Sequence, residues 1–358
     1  MQQTLNLPNL DSKTPHQPSP PSTSLATKHR PKQLNDLIGQ ETTKQILINA
    51  INSQQIHHCY LLIGPKGTGK TSTARIAAKS LNCFGSDRPT TTPCNSCLSC
   101  KGIDTNSNLD VIELDAASHG GVDDARELIA SANYSPIKCR YKVTIIDEAH
   151  KLSNSAQNAL LKTLEEPPAK TIFILCTTEP QSLLETVRSR CLTLNFHQLD
   201  KLTTAKAIYN IAVKEGIKLP KPIATEIAIE AEGGMRDAIQ MLEKAALFAN
   251  PITENTISQI VLKPTKEQLK QLIIAILKKD KLHLLKIATE LQERQVPPQT
   301  TLTQLLLLYK QALLEKHPLA KTDCTKAINS LMEASKFLGN NPKKSELWLE
   351  LTLLQLIA

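Results

Sequence analysis

Aromatic residues make up only 3% of this 358-residue chain, and there is a single Trp. That scarcity argues against binding of single strands mainly by stacking bases on aromatic rings. No uninterrupted apolar run approaches the ~20 residues that span a bilayer. The N-terminus also lacks the basic-then-apolar pattern of a secretory signal. Membrane and secreted classes are excluded, and a cytoplasmic location is expected. Residues 1–28 carry no helical or strand periodicity and crowd Pro15, Pro18, Pro20 and Pro21 together. A disordered leader is expected there. It contains no arginine before Arg30, which argues against a transit peptide.

What is present describes a folded chain. Hydrophobic residues reach 41% and charged residues 21%, ordinary values for a globular protein. Lys plus Arg is 42 against 34 for Asp plus Glu, a net charge of +8 that favours an acidic partner such as nucleic acid. The length implies two or three domains. Short apolar runs at 60–63, 109–114, 143–146 and 171–176 alternate with helical segments, the pattern of a parallel sheet with helices on both faces. After about residue 198 only helical patterns remain. The expected architecture is an α/β domain over 29–198, a small helical domain over 199–262 and an all-α domain over 263–358.

Two motifs carry chemistry. Gly64-Pro65-Lys66-Gly67-Thr68-Gly69-Lys70-Thr71 is a complete phosphate-binding loop, placed between a strand and a helix as that motif requires. Its backbone N–H groups are expected to cradle phosphate at a helix N-terminus. Lys70 would reach the terminal phosphates, and the Thr71 hydroxyl would ligate Mg²⁺. The run Val143-Thr-Ile-Ile-Asp147-Glu148 sets two carboxylates at the end of a buried strand, where α/β sheets place ligands. Asp147 would hold Mg²⁺ and Glu148 would orient or deprotonate a water. The pair reads as a nucleoside triphosphatase site. Asp147-Glu148-Ala149-His150 also spells a helicase-like tetrapeptide, but the helical second half offers no second α/β domain to close such a site.

The nine cysteines are unevenly spread. Cys94-x-x-Cys97-x-x-Cys100, with Cys83 upstream, supplies four thiolates, enough for a closed structural Zn²⁺ site. Cys59, Cys139, Cys176, Cys191 and Cys324 are read as small apolar residues.

Further motifs surround these. They include Arg30-Pro31, Leu37-Ile38-Gly39-Gln40, His57-His-Cys-Tyr60, Leu81-Asn-Cys83 and Asp115-Ala-Ala-Ser118. Asn158 to Pro168, Thr177-Thr178 and Ser189-Arg190-Cys191 complete the series. From about residue 28 to 260 the chain resembles the gamma/tau subunits of the bacterial DNA polymerase III clamp loader, within the AAA+ superfamily. The final Glu350 to Leu356 resembles the last helix of that family's collar domain. The resemblance implies a sensor 1 role for Thr177, a sensor 2 role for Arg236 on a helical lid, and an arginine finger at Arg190 acting on a neighbouring subunit's ATP. It implies an adenine pocket between Arg30 and Gly39. It further implies ATP, Mg²⁺ and Zn²⁺ as cofactors, with other clamp-loader subunits, the sliding clamp and primer-template DNA as partners. The expected activity is ATP hydrolysis that drives clamp loading, with no polymerase site. The chain ends at the apparent end of the collar, as a short form without the long extension of tau. The rivals are a helicase, a zinc-containing nucleic-acid binding module with a vestigial ATPase, and a non-hydrolysing scaffold subunit of the same complex, which would be expected to carry a damaged phosphate loop. A cluster of lysines from Lys263 to Lys286 is read as a solvated helix face, not as a site.

Overall fold

The computed structural model describes residues 24–315, 324–340 and 345–357. The leader expected over 1–28 therefore lies largely outside the described residues, as does Cys324 as a side chain. Its last residues correct that expectation, because Leu25–Lys28 form a helical turn, α1. Leu25 and Ala26 pack against an apolar cluster formed by residues 205–257. Leu25 N–H donates to Glu243 over 3.1 Å, and Glu215 receives both Lys28 and His29. Partners more than 180 residues away order this stretch, so no local pattern announces it.

Five strands form one parallel sheet in the order β2-β3-β4-β1-β5. They are β1 (Cys59–Ile63), β2 (Val111–Asp115), β3 (Lys142–Asp147), β4 (Thr171–Thr177) and β5 (Leu192–Asn195). The four expected apolar runs are β1 to β4, although Leu109 lies outside its strand and is exposed. The edge strand β5 was not anticipated: only Leu194 of its four residues is buried, so it carries no apolar run to detect. Helices α2 (Glu41–Ser53), α3 (Lys70–Asn82), α4 (Leu98–Asp104), α5 (Val122–Ala132), α6 (Asn154–Glu165) and α7 (Glu185–Arg188) accompany the sheet.

Strand residues alternate between two cores. Tyr60, Leu62, Val143, Ile145, Ile172 and Ile174 pack on one face with α3. Cys59, Leu61, Ile146, Phe173 and Leu175 pack on the other, with Leu160 and Leu164 of α6. Burial on both faces is why these strands read as continuous apolar runs.

Beyond the sheet the described chain is helical. Helices α8 (Lys201–Lys214), α9 (Lys221–Glu230), α10 (Met235–Phe248) and α11 (Glu254–Val261) share a third core. Helices α12 (Lys266–Lys278), α13 (Lys281–Glu293), α14 (Pro298–Glu315), α15 (Cys324–Asn340) and α16 (Ser345–Gln355) share a fourth. No helix among the described residues is long and apolar enough to cross a membrane.

Candidate nucleotide site

The carboxyl ends of β1, β3 and β4 meet at one edge of the sheet, with Ile63 beside Thr177 and Asp147 beside Asp115 in register. The chain leaves β1 at Gly64 and re-enters regular structure at Lys70, the first residue of α3. Gly67 and Gly69 have φ of +76° and +103°, a region that side-chain-bearing residues avoid. A Cβ on Gly67 would also stand 3.2 Å from the Cα of Gly234. The loop that results exposes its donors: the N–H groups of Gly67 to Thr71 donate to no protein acceptor among the described residues. Unpartnered donors at a helix N-terminus, reinforced by the helix dipole, suit a polyphosphate.

Lys70 is buried, and its Nζ donates to the carbonyl oxygens of Gly64 and Pro65 at 2.8 and 2.9 Å. Burial lowers its pKa, while the carboxylates of Glu148 and Asp147 oppose that shift. The Thr71 hydroxyl donates to Asp147 Oδ2 over 2.7 Å. This pair of hard oxygen donors fits Mg²⁺. Glu148 follows in a left-handed conformation (φ +48°), and its Oε2 is buried with no hydrogen-bond partner.

These groups line a cleft of 240 Å³. Lys66 to Ser72, Asp147 and Glu148 form its floor, and Arg236 stands on the α10 wall. Arg30, Pro31, Asp36, Leu37 and Ile38 line it where the adenine pocket was expected. The Arg30 pKa is lowered, first by burial and then by the charge of Arg75. Sequence reasoning missed the apolar wall of Ile211, Met235 and Ile239 and the contributions of Thr27 and His29. Single residues on helices carry no signal for such a role. The Met235 N–H also donates to Gly67 O over 3.1 Å, joining α10 to the phosphate loop through backbone alone.

Four expected residues are missing from the lining of this cleft: Gly64 and Pro65, whose carbonyls hold Lys70, and Thr177 and Arg190. Thr177 is fully buried at the end of β4, where its Oγ1 accepts from Glu179 N–H at 3.0 Å and lies 3.2 Å from His150 Nδ1. Arg190 sits on the surface, bound to the Thr186 carbonyl and paired with Glu165.

The four clustered cysteines converge. Their sulfurs all lie within 4.8 Å of one another, close to the roughly 3.8 Å separation that Zn–S bonds of about 2.3 Å would impose on a tetrahedron. Three of the sulfurs accept backbone N–H groups, from Cys94 to Cys83, Cys97 to Cys94 and Cys100 to Cys97. Hydrogen bonds from Ser96, then Cys97 and Cys83, lower the Cys94 pKa to about 5. The donor set suits zinc. The module is tied to α3 by the buried Lys79, whose Nζ reaches Asn95 and Asp104 at 3.0 and 2.8 Å. Among the single cysteines, Cys59 and Cys176 are buried as expected, whereas Cys139 and Cys191 are half-buried.

Residues 39–200 match the family profile described as DNA polymerase III, delta subunit, and residues 206–247 match an RCF1/5-like AAA+ ATPase lid domain. The chain is 42% identical over 238 residues to the tau/gamma subunit of DNA polymerase III from Haemophilus influenzae, covering 66% of this chain and 34% of that one. It is 44% identical over 223 residues to the tau subunit from Bacillus subtilis, covering 62% and 39%. It therefore spans little more than a third of the length of these two relatives. A Holliday junction branch migration motor from Thermotoga maritima overlays with a TM-score of 0.48 at 22% identity, covering 69% of this chain and 79% of that one. The gamma subunit of Buchnera aphidicola matches at 38% identity over 298 residues, covering 82% of each chain. A likeness that covers 82% of each chain, with phosphate loop, carboxylate pair and lid all in place, leaves one conclusion: the chain belongs to the gamma/tau family of DNA polymerase III subunits.

Proposed function

We propose that this chain is an ATP-hydrolysing motor subunit of the DNA polymerase III clamp loader. The observation that carries the reading is the intact hydrolytic set on one cleft: unpartnered loop N–H groups, Lys70, the Thr71–Asp147 pair and Glu148. Lys70 leaves its two loop carbonyls to meet the terminal phosphates of ATP. Thr71 and Asp147 would hold Mg²⁺, which neutralises charge on those phosphates when bound. Glu148 orients the attacking water and takes its proton. Arg236 closes the cleft from the lid. Arg190, absent from the lining of this cleft and partly exposed, acts on the ATP of a neighbouring subunit, where a supplied guanidinium can accelerate hydrolysis by ~10³ or more.

In this reading residues 29–198, 199–262 and 263–358 are ATPase, lid and collar domains, and the four separate apolar cores support that division. The cysteine quartet holds a structural Zn²⁺. Partners are the other loader subunits, the sliding clamp and primer-template DNA, in the cytoplasm. All described elements after 198 are helices, which favours a loader subunit over a helicase with two α/β domains.

The test is ATP hydrolysis by the chain alone and with cognate loader subunits, clamp and primed DNA. Hydrolysis that rises strongly with the full set, and falls in Lys70→Ala and Arg190→Ala, supports the reading. High activity from the chain alone, indifferent to the clamp and to Arg190→Ala, overturns it.

A further inference from the structure

The fourth residue of Asp147-Glu148-Ala149-His150 has no role in the mechanism above, yet it is buried between Glu148 and Thr177. The His150 side chain is 5% exposed. Its Nδ1 lies 3.2 Å from Thr177 Oγ1 and 3.4 Å from Glu148 Oε2, and its Nε2 lies 3.9 Å from Glu179 Oε1. One nitrogen thus faces two groups. Thr177 Oγ1 already accepts a hydrogen bond from Glu179 N–H, so its own O–H is free to donate to Nδ1. Glu148 Oε2 is left buried and unpartnered. A buried carboxylate oxygen in that condition is held off its best state.

We propose that His150 is a positioning residue for hydrolysis, its Nδ1 shared between Thr177 and Glu148 and thereby linking the two. The inference rests on the ATPase reading of the cleft. With no nucleotide, Nδ1 accepts from the Thr177 hydroxyl and Glu148 has no anchor. When the Thr177 hydroxyl rotates away from the ring, Nδ1 is released. The imidazole then takes a proton at Nδ1 from water and returns its Nε2 proton to water, and the new Nδ1–H donates to Glu148 Oε2 and fixes the carboxylate, which leaves its other oxygen for the attacking water. The base is set only when Thr177 gives up Nδ1.

The test uses the full chain assembled with its cognate partners, comparing His150→Ala, His150→Asn and His150→Gln with the parent and with Lys70→Ala. An Asn amide nitrogen takes the position of Nδ1, whereas a Gln amide reaches only toward Nε2. His150→Ala is expected to lower kcat roughly tenfold or more with KM for ATP and equilibrium nucleotide affinity unchanged. His150→Asn should recover most of that loss and His150→Gln should not. Parent-like turnover in His150→Ala, a raised KM with unchanged kcat, or equal loss in the Asn and Gln variants would each overturn the proposal. If His150→Ala does not fold, the contrast between the two amides of similar polarity decides it. Hydrolysis that survives Lys70→Ala would instead mark failure of the ATPase reading itself.

Discussion

The Thr71 hydroxyl donates to the Asp147 carboxylate over 2.7 Å, across 76 residues of sequence. The bond joins the first turn of α3 to the tip of β3 and holds the two oxygens proposed for Mg²⁺ side by side. In the proposed reading Thr71 and Asp147 would give up this bond to hold a divalent cation with both oxygens. Asp147→Asn keeps the shape but halves the appeal to a cation. Nucleotide binding by the parent should weaken when Mg²⁺ is chelated, by about tenfold or ~1.4 kcal/mol. Asp147→Asn and Thr71→Val should lose most of that difference. Calorimetric titration with and without chelator reads it directly.

Arg190 occupies a surface ion pair within its own chain and touches no part of its own cleft. Arg190→Ala is therefore expected to leave ATP affinity of the isolated chain within about twofold, while hydrolysis in the assembled complex falls by roughly 10³. Equal losses in binding and turnover would place the residue in its own site instead.

The cysteine module hangs from the C-terminal end of α3, and the phosphate loop sits at the N-terminal end. Thirteen helical residues separate the two by about 20 Å. Metal analysis should find about one zinc per chain. Cys83→Ser or Cys94→Ser should abolish it and lower Tm by roughly 5 °C. Nucleotide affinity should survive, because the two ends of the helix are anchored separately.

Asp110 is buried, and its carboxylate accepts the N–H groups of Ile137, Lys138 and Cys139 at 2.7 to 2.8 Å. Burial opposes its ionisation, but the three donors outweigh burial and hold its pKa below the ordinary carboxylate value. The unfolded chain thus takes up the proton more readily. The stability from this loop anchor is complete above the unfolded pKa of about 3.9 and is lost as pH falls through the folded value. Asp110→Asn should destabilise the protein by roughly 2 kcal/mol at neutral pH. The gap to the parent should close below about pH 4, measured by urea unfolding across that range.

The strands and the phosphate loop were legible because each is dictated locally. Burial on both faces forces continuous apolar runs, and the loop's glycines are required by its backbone. The Thr71–Asp147 pair followed from two such motifs. What escaped is long-range. Leu25 to Lys28 are ordered by Glu243 and Glu215, and Ile211 and Ile239 wall the cleft only because the lid helices fold back over it. The edge strand β5 is defined by hydrogen bonds to β1, which leave no mark on its own residues. His150 was visible as a letter in a motif, but its sharing between Thr177 and Glu148 exists only in three dimensions.

The backbone bond from Met235 to Gly67 has one more consequence. Neither partner lends a side chain to it, so the tie between lid and loop is indifferent to which residue stands at 235, with proline alone unable to donate. A saturation scan at 235 should therefore tolerate wide replacement for lid coupling and single out one substitution. The tie between the phosphate loop and the helical half is written in the path of the main chain, and sequence drift at that position leaves it whole.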